Sequence, residues 1–356
     1  MTVLSRYIAR TVLAYTGLVM AVLLGLISLY IFITQQDEIG VGQYNVGDAL
    51  VYTALNLPQY AFELLPIGAL IGALFGLGNL ARSLELIVMR ASGLSVFRIA
   101  GWVAMAGIVV GASMWIIGEY VAPPLEHYAR QQKMIAKFNQ YGVAGSRSIW
   151  AKDGETIVSV QQQSAENEFG GVLVFKLDPQ HRLRSAGRAN MASIGSDGRW
   201  RLDGYQESDL GDDGQITTRR MQEAELDTHL SPEFLGFAVI NPTSLPAAGL
   251  YAYMRHLRAN DLDARLYETA FWSRIARTCA AVIIVMLALP FVFGPMRSTG
   301  MGARMVIGIL IGAAFFFLAE VLESGGRVFG LPPYAIAWGP TALLSIITVF
   351  ALLRVR

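Results

Sequence analysis

One cysteine in 356 residues excludes an intrachain disulfide, and with it any metal site built from several thiolates. That residue, Cys279, lies inside an apolar run. Lysine is nearly as scarce. Lys133, Lys137, Lys152 and Lys176 are the whole supply, and none follows a G-x-x-x-x-G loop, so the chain has no phosphate-binding loop with which to hydrolyse ATP. His127, His181, His229 and His256 are scattered without ligand spacing. Neither H-E-x-x-H nor G-x-S-x-G occurs, and no G-x-G-x-x-G follows a strand. Charged residues are 15% of the chain, well below the share in soluble domains. No catalytic activity, resident cofactor, metal or nucleic-acid partner is expected.

The chain is instead rich in apolar residues, 54% of the total, and they come in blocks. Runs at Thr11–Ile33, Leu50–Leu80, Val96–Val121, Phe271–Phe293, Val306–Val321 and Tyr334–Leu353 approach or exceed the ~20 residues that cross ~30 Å of hydrocarbon, the fifth if it starts near Gly302. Arg6 and Arg10 precede the first run, but it is too long for a signal peptide and Phe32-Ile33-Thr34-Gln35 offers no cleavage site. The expected fold is an α-helical integral membrane protein of six spans, split three and three. Residues 1–121 hold spans one to three, 122–265 a polar insertion, and 266–356 spans four to six.

Short-loop charge orients it. Arg6, Arg10, Arg82, Arg90, Arg98, Arg297, Arg304, Arg354 and Arg356 share one side, while the first loop opposite holds Asp37, Glu38 and Asp48 without a cation. The positive-inside rule puts both termini in the cytoplasm and the insertion outside it.

Between the second and third runs lies Asn79–Arg98, with Arg82, Glu85, Arg90 and Arg98. Leu84, Ile87, Val88 and Ala91 recur at helical spacing and Gly93 closes the pattern, so a short amphipathic helix is expected over about 82–93. Such a helix cannot cross a bilayer; it lies at the surface or docks into another protein. Gly68, Gly72 and Gly76 form a small-residue stripe, repeated by Gly107 with Gly111 and by Gly308 with Gly312, suited to close packing within the chain or against a partner. Glu63, Glu119, Glu320 and Glu323 fall toward the outer ends of spans. Hydration there is the expectation, and a proton relay through Glu63 and Glu320 in a secondary transporter is the alternative.

Ala122-Pro123-Pro124 is expected to open a new helix that places Arg130, Lys133 and Lys137 on one face. Spacing alone leaves two readings: a solvated face with Glu126 paired to Arg130, or a basic patch for phosphate groups. From about 147 to 241 the period becomes two. Strands are expected at Ile149–Lys152, Thr156–Gln161, Gly171–Leu177, Arg182–Ile194, Arg199–Glu207 and Gln215–Leu226, separated by Asp153-Gly154, Asp178-Pro179, Asp197-Gly198 and Asp213-Gly214. That pattern suggests a small all-β jelly-roll-like domain, whose open edges would offer pairing to another chain. A binding scaffold built on this domain is a further reading. Pro232, Pro242 and Pro246 mark its exit, and the Gly-Pro-Arg segment after Phe293 reads as a tight hairpin.

The segments Ser83–Leu94 (SLELIVMRASGL), Glu119–Pro123 (EYVAP), Trp150–Gly154 (WAKDG), Phe271–Arg274 (FWSR) and Phe293–Ser298 (FGPMRS) together resemble the LptF/LptG permeases, which export lipopolysaccharide from the Gram-negative inner membrane. The WAKDG and FGPMRS segments are more similar to the LptG side of the pair. The resemblance implies the transmembrane half of an ABC transporter in the bacterial inner membrane. Its partners would be an LptF-type permease, an LptB-type ATPase dimer that holds the ATP and magnesium, a single-span LptC-type bridge protein and a soluble LptA-type one in the periplasm. Glu85, Leu86, Met89 and Arg90 would couple to the ATPase. Arg130, Lys133 and Lys137, with Phe62 and Phe317, would meet lipopolysaccharide. Thr34 stands where some relatives carry a lysine. An energy source is needed in any case: a fourteen-carbon chain holds to a bilayer by ~5.5 kcal/mol, so a lipid with about six such chains resists extraction by tens.

Overall fold

A computed structural model describes the chain except for residues 1–2, 139–148, 166–167, 181, 196–198, 212–214, 229, 231–241, 294–300, 329 and 355–356. The hairpin after Phe293 with Arg297, the Asp197-Gly198 and Asp213-Gly214 turns, His181, His229 and the exit at Pro232 lie outside the described residues.

Six helices are long and apolar enough to span a membrane. They arise from α1 (Val3–Thr34), α2 (Val46–Arg82), α4 (Val96–Ile116), α7 (Arg265–Phe293), α8 (Met301–Val328) and α9 (Pro333–Arg354), with the short α3 (Glu85–Ala91) between α2 and α4. Each expected run is one of these; five are extended at one or both ends, whereas Val96–Val121 divides into α4 and a π-turn that follows it. α2 packs against α1, α7 and α8, and α7 in turn against α4 and α9. Ala69 to Leu74 of α2 are all buried, as is most of α7 from Ala280 to Pro290, so these two helices form the centre.

The small-residue stripes pack within the chain. A Cβ on Gly72 would lie 2.4 Å from the Thr16 Cα of α1, one on Gly76 3.4 Å from the Val12 Cα, and one on Gly107 3.0 Å from the Val282 carbonyl oxygen of α7. Backbones that close leave no room for side chains, and dispersion between them replaces the hydrophobic drive that lipid does not supply. By contrast α1 turns Leu18, Val22, Leu26, Leu29 and Ile33 outward, and α8 turns out Leu310, Phe316, Phe317 and Val321. These faces meet lipid or another chain.

The helix expected to open at Ala122-Pro123-Pro124 is present, and no loop separates it from the span before it. The helical path runs from α4 through a π-turn, Ile117–Val121, directly into α5 (Ala122–Phe138). Proline is tolerated because the ladder has already slipped: the Ala122 N–H donates to the Ile117 carbonyl, one residue further back than in an α-helix. Pro123 and Pro124 then have no N–H to misplace.

The insertion carries β1 (Ile149–Asp153), β2 (Thr156–Ala165), β3 (Glu168–Leu177), β4 (Leu183–Ile194), β5 (Trp200–Leu210) and β6 (Ile216–Leu226). They form one antiparallel sheet in the order β1-β2-β3-β4-β5-β6, leaving β1 and β6 as edges among the described residues. Three central strands change phase in one row. Val172 pairs with Ala189 and Gly170 with Met191, so Gly171 and Asn190 are passed over, and Gly204 falls in the gap between Asp203 and Tyr205. Gly171 and Gly204 both have φ +63, which side chains disfavour. The register is continuous across this row, so no residue is added to either strand; the left-handed glycines instead switch which side chains face inward, and Phe169, Val172 and Val174 of β3 all reach one core with Trp200, Leu202 and Tyr205 of β5. Trp200 is fully buried, stacks 5.3 Å from Phe169, and donates its indole N–H to the Leu230 carbonyl at 2.8 Å. On β5, burial pulls the Glu207 carboxyl upward, but bonds from Lys176 at 2.9 Å and Ser185 at 2.8 Å outweigh it and hold the carboxyl below its ordinary value.

The chain returns through a 3₁₀ turn at Pro242–Ser244 and α6 (Ala247–Ala259). The WAKDG segment is a structural clasp there: Asn260 at the end of α6 accepts from the Gly154 N–H at 2.6 Å and, through its carbonyl, from Lys152 at 3.3 Å.

Candidate functional site at the two ends of the bundle

α2 is 37 residues long, so the features at its ends lie about 55 Å apart along its axis. At the Arg82 end stands α3. Its first residue follows Leu84, held left-handed at φ 64, and its last turn closes with Gly93 donating to the Arg90 carbonyl at 3.0 Å and Leu94 to that of Met89 at 3.2 Å. Leu86 and Met89 are buried in the bundle core, which anchors the helix. Leu84 and Val88 are exposed, with Ala91 beside them. The apolar stripe recognised in the sequence thus faces away from the chain, and the residues that fix the helix to it are on the other side. Glu85 is half-buried and accepts from the Ser83 hydroxyl at 2.8 Å; Arg90 lies 5.3 Å over the Phe293 ring. Sequence reasoning grouped Leu86 and Met89 with the outward residues. Their inward direction is decided by how α2 delivers the chain, which spacing does not contain.

At the other end, the α1–α2 loop and α5 meet. Asn45 caps α2, accepting from Gly47 and Asp48 while the Asp48 carboxylate accepts from the Asn45 N–H. The loop is fastened to α5 by the Gln43 N–H on the Ala136 carbonyl at 2.7 Å. Lys133 contacts Glu38 at 2.5 Å and Gln35 at 2.8 Å, and lies 4.6 Å over the Tyr52 ring; Lys137 reaches the same Glu38 oxygen at 3.5 Å. Arg130 is ion-paired to Glu126, whose carboxylate also accepts from Ser244 at 2.9 Å. Thr34 spends its hydroxyl on the Ile31 carbonyl at 2.6 Å.

Phe62 and Phe317 are not brought to this basic row. Phe317 is exposed on α8, whereas Phe62 is buried under the Arg274 guanidinium at 4.9 Å. Arg274, 5% exposed, donates to the Leu245 carbonyl at 2.8 Å and to the Gly118 carbonyl, and its Nε lies 3.8 Å from Glu119. The π-turn explains that acceptor: Ala122 has turned to Ile117, and Pro123 has no N–H to offer Gly118. Glu119 also accepts from the Ala247 and Ala248 N–H groups at the start of α6, at 2.7 and 3.1 Å. The expectation of simply hydrated acids fails for Glu119 and for Glu323, which pairs with Arg277 at 2.8 Å, because arginine side chains and, at Glu119, backbone N–H groups take the place of water. Glu63 accepts from Gln59 at 2.9 Å, and Glu320 is exposed. Among the described residues no group of acids, histidines and cysteines has metal-ligand geometry.

Fold and surfaces together define a multi-pass membrane protein with a β domain inserted between its third and fourth spans. The chain belongs to the family described as lipopolysaccharide export system permease LptF/LptG, whose profile matches residues 6–354. It is 33% identical over 353 residues to the lipopolysaccharide export system permease protein LptG of Escherichia coli (strain K12), covering 99% of this chain and 98% of that one. It is likewise 33% identical over 354 residues to the LptG of Haemophilus influenzae (strain ATCC 51907 / DSM 11121 / KW20 / Rd), covering 99% of each.

Proposed function

We propose that this chain is a transmembrane subunit of an ATP-driven lipopolysaccharide exporter, with its termini and α3 in the cytoplasm and its sheet in the periplasm. The observation that carries the reading is α3. It is bolted to the bundle by Leu86 and Met89 and, among the described residues, leaves Leu84 and Val88 exposed. An LptB-type ATPase receives that face, supplying the ATP and magnesium chemistry for which this sequence has no loop. An LptF-type permease covers the outward faces of α1 and α8, leaving between the two subunits an apolar cavity for lipid chains. Lipopolysaccharide phosphates meet the α5 row of Arg130, Lys133 and Lys137. An edge of the sheet, β1 or β6 among the described strands, continues by strand pairing into LptC-type and LptA-type bridge proteins, since the backbone groups of an edge accept a further strand.

The test is to purify the tagged chain from native membranes in mild detergent and identify what accompanies it by mass spectrometry. A second permease, an ATPase in two copies and lipopolysaccharide are expected. A chain that purifies without any nucleotide-binding partner overturns the reading.

A further inference from the structure

The basic row on α5 is already occupied. Arg130 is paired with Glu126, and Lys133 and Lys137 converge on one oxygen of Glu38, a residue from the opposite loop. Three cations against two carboxylates leave the row a net charge of +1. The Lys133 and Lys137 side chains are each 16% exposed and that of Glu38 33%, so Glu38 is the most open of the three to solvent, although its Oε2 between the two ammonium groups is itself buried. Its departure would not release the loop, which keeps its backbone bond from Gln43 to Ala136 and the buried Tyr44, whose hydroxyl donates to Gln35 at 3.3 Å.

We propose that Glu38 is a specificity residue: its carboxylate stands in the Lys133–Lys137 cradle as an internal substitute for a ligand phosphate and refuses headgroups too weakly anionic to displace it. The inference rests on the reading that the α5 row meets lipid phosphates. A phosphate monoester carries about −1.5 to −2 charges and three acceptor oxygens, so it outcompetes a single carboxylate for two ammonium groups. A zwitterionic phospholipid brings one phosphodiester charge together with its own ammonium group, and gains nothing by exchanging with Glu38. The abundant lipid of the bilayer is thereby turned away while a phosphorylated glycolipid is admitted. Gln35, which also contacts Lys133, and the Tyr52 ring beneath it are neutral and do not discriminate by charge.

The experiment places a photocrosslinking amino acid at Met134 in the full complex, in nanodiscs of phosphatidylethanolamine containing lipopolysaccharide, and reads the ratio of phospholipid to lipopolysaccharide adducts. Glu38→Gln is expected to raise that ratio about three- to fivefold, the upper part of what a partly exposed ion pair supplies. Glu38→Asp, which keeps the charge, should stay within about twofold of the unmodified chain. An unchanged ratio in Glu38→Gln overturns the proposal. So does an equal rise in both variants, because loop shape rather than charge would then be at work. Lys133→Gln tests the underlying reading separately: it should lower the lipopolysaccharide adduct, and an unchanged adduct there rejects the phosphate role of α5 whatever Glu38 does.

Discussion

Glu85→Lys is expected to abolish nucleotide-driven release of lipopolysaccharide while the chain still inserts and folds. Glu85 opens α3, where an acid is favoured by the helix dipole, and it holds Ser83 at 2.8 Å. Reversing it costs the isolated helix only ~0.3–1 kcal/mol, too little to unfold a bundle of this size. At an interface the cost differs in kind, since a partner cation placed to meet Glu85 would face a like charge. Losing such a pair costs about 2 kcal/mol or more, at least thirtyfold in docking or rate. The measurement is lipopolysaccharide-stimulated ATP hydrolysis and release in the reconstituted complex, beside a thermal melt of the same sample. Val88→Asp should behave likewise, because Val88 is exposed. Leu86→Ala should instead lower the melt, by the ~2–5 kcal/mol of a buried leucine. Normal release by Glu85→Lys would remove α3 from the coupling path.

Arg274→Met is expected to produce the largest loss of stability among single substitutions at the outer end of the bundle. The guanidinium satisfies the Gly118 carbonyl left open by the π-turn and the Leu245 carbonyl before α6, and it faces Glu119. Removing it orphans both carbonyls and leaves a buried carboxylate without its cation, a change worth about 3–5 kcal/mol. For a chain of 356 residues that corresponds to a fall in melting temperature of about 4–7 °C in detergent. Adding Glu119→Gln should restore part of the loss, because the amide carbonyl still accepts from the start of α6 and no charge is stranded. A single variant that melts within about one degree of the unmodified protein would contradict this account of the junction.

Spans and strands were readable in the sequence because each is a repeated local preference. Six apolar runs became six helices, and six period-two segments became six strands, with boundaries moved by a few residues. What escaped was long-range or against a local rule. Pro123-Pro124 reads as a helix start and α5 does open there, but nothing local says that α4 runs straight into it through the slip at Ile117–Val121. Glu119 and Arg274 lie 155 positions apart in two segments recognised separately, and nothing local says that they meet. Gly171 and Gly204 sit inside strands where glycine usually weakens pairing, and only the register shows that they lie in one row across the sheet. The spacing of α3 gave a correct apolar stripe without saying that it turns away from the chain. The α5 cations were found by spacing, but their carboxylate partner comes from a loop about 95 residues earlier.

On the proposed function, this chain moves lipid only when a partner ATPase drives it. Proteoliposomes containing the complete complex and lipopolysaccharide, supplied with the soluble bridge protein as acceptor, test it directly. With ATP and magnesium, lipopolysaccharide should appear crosslinked to the acceptor over time. Without nucleotide, or with a non-hydrolysable analogue, the amount should stay at the level of empty liposomes. Equal transfer in both conditions would contradict the account.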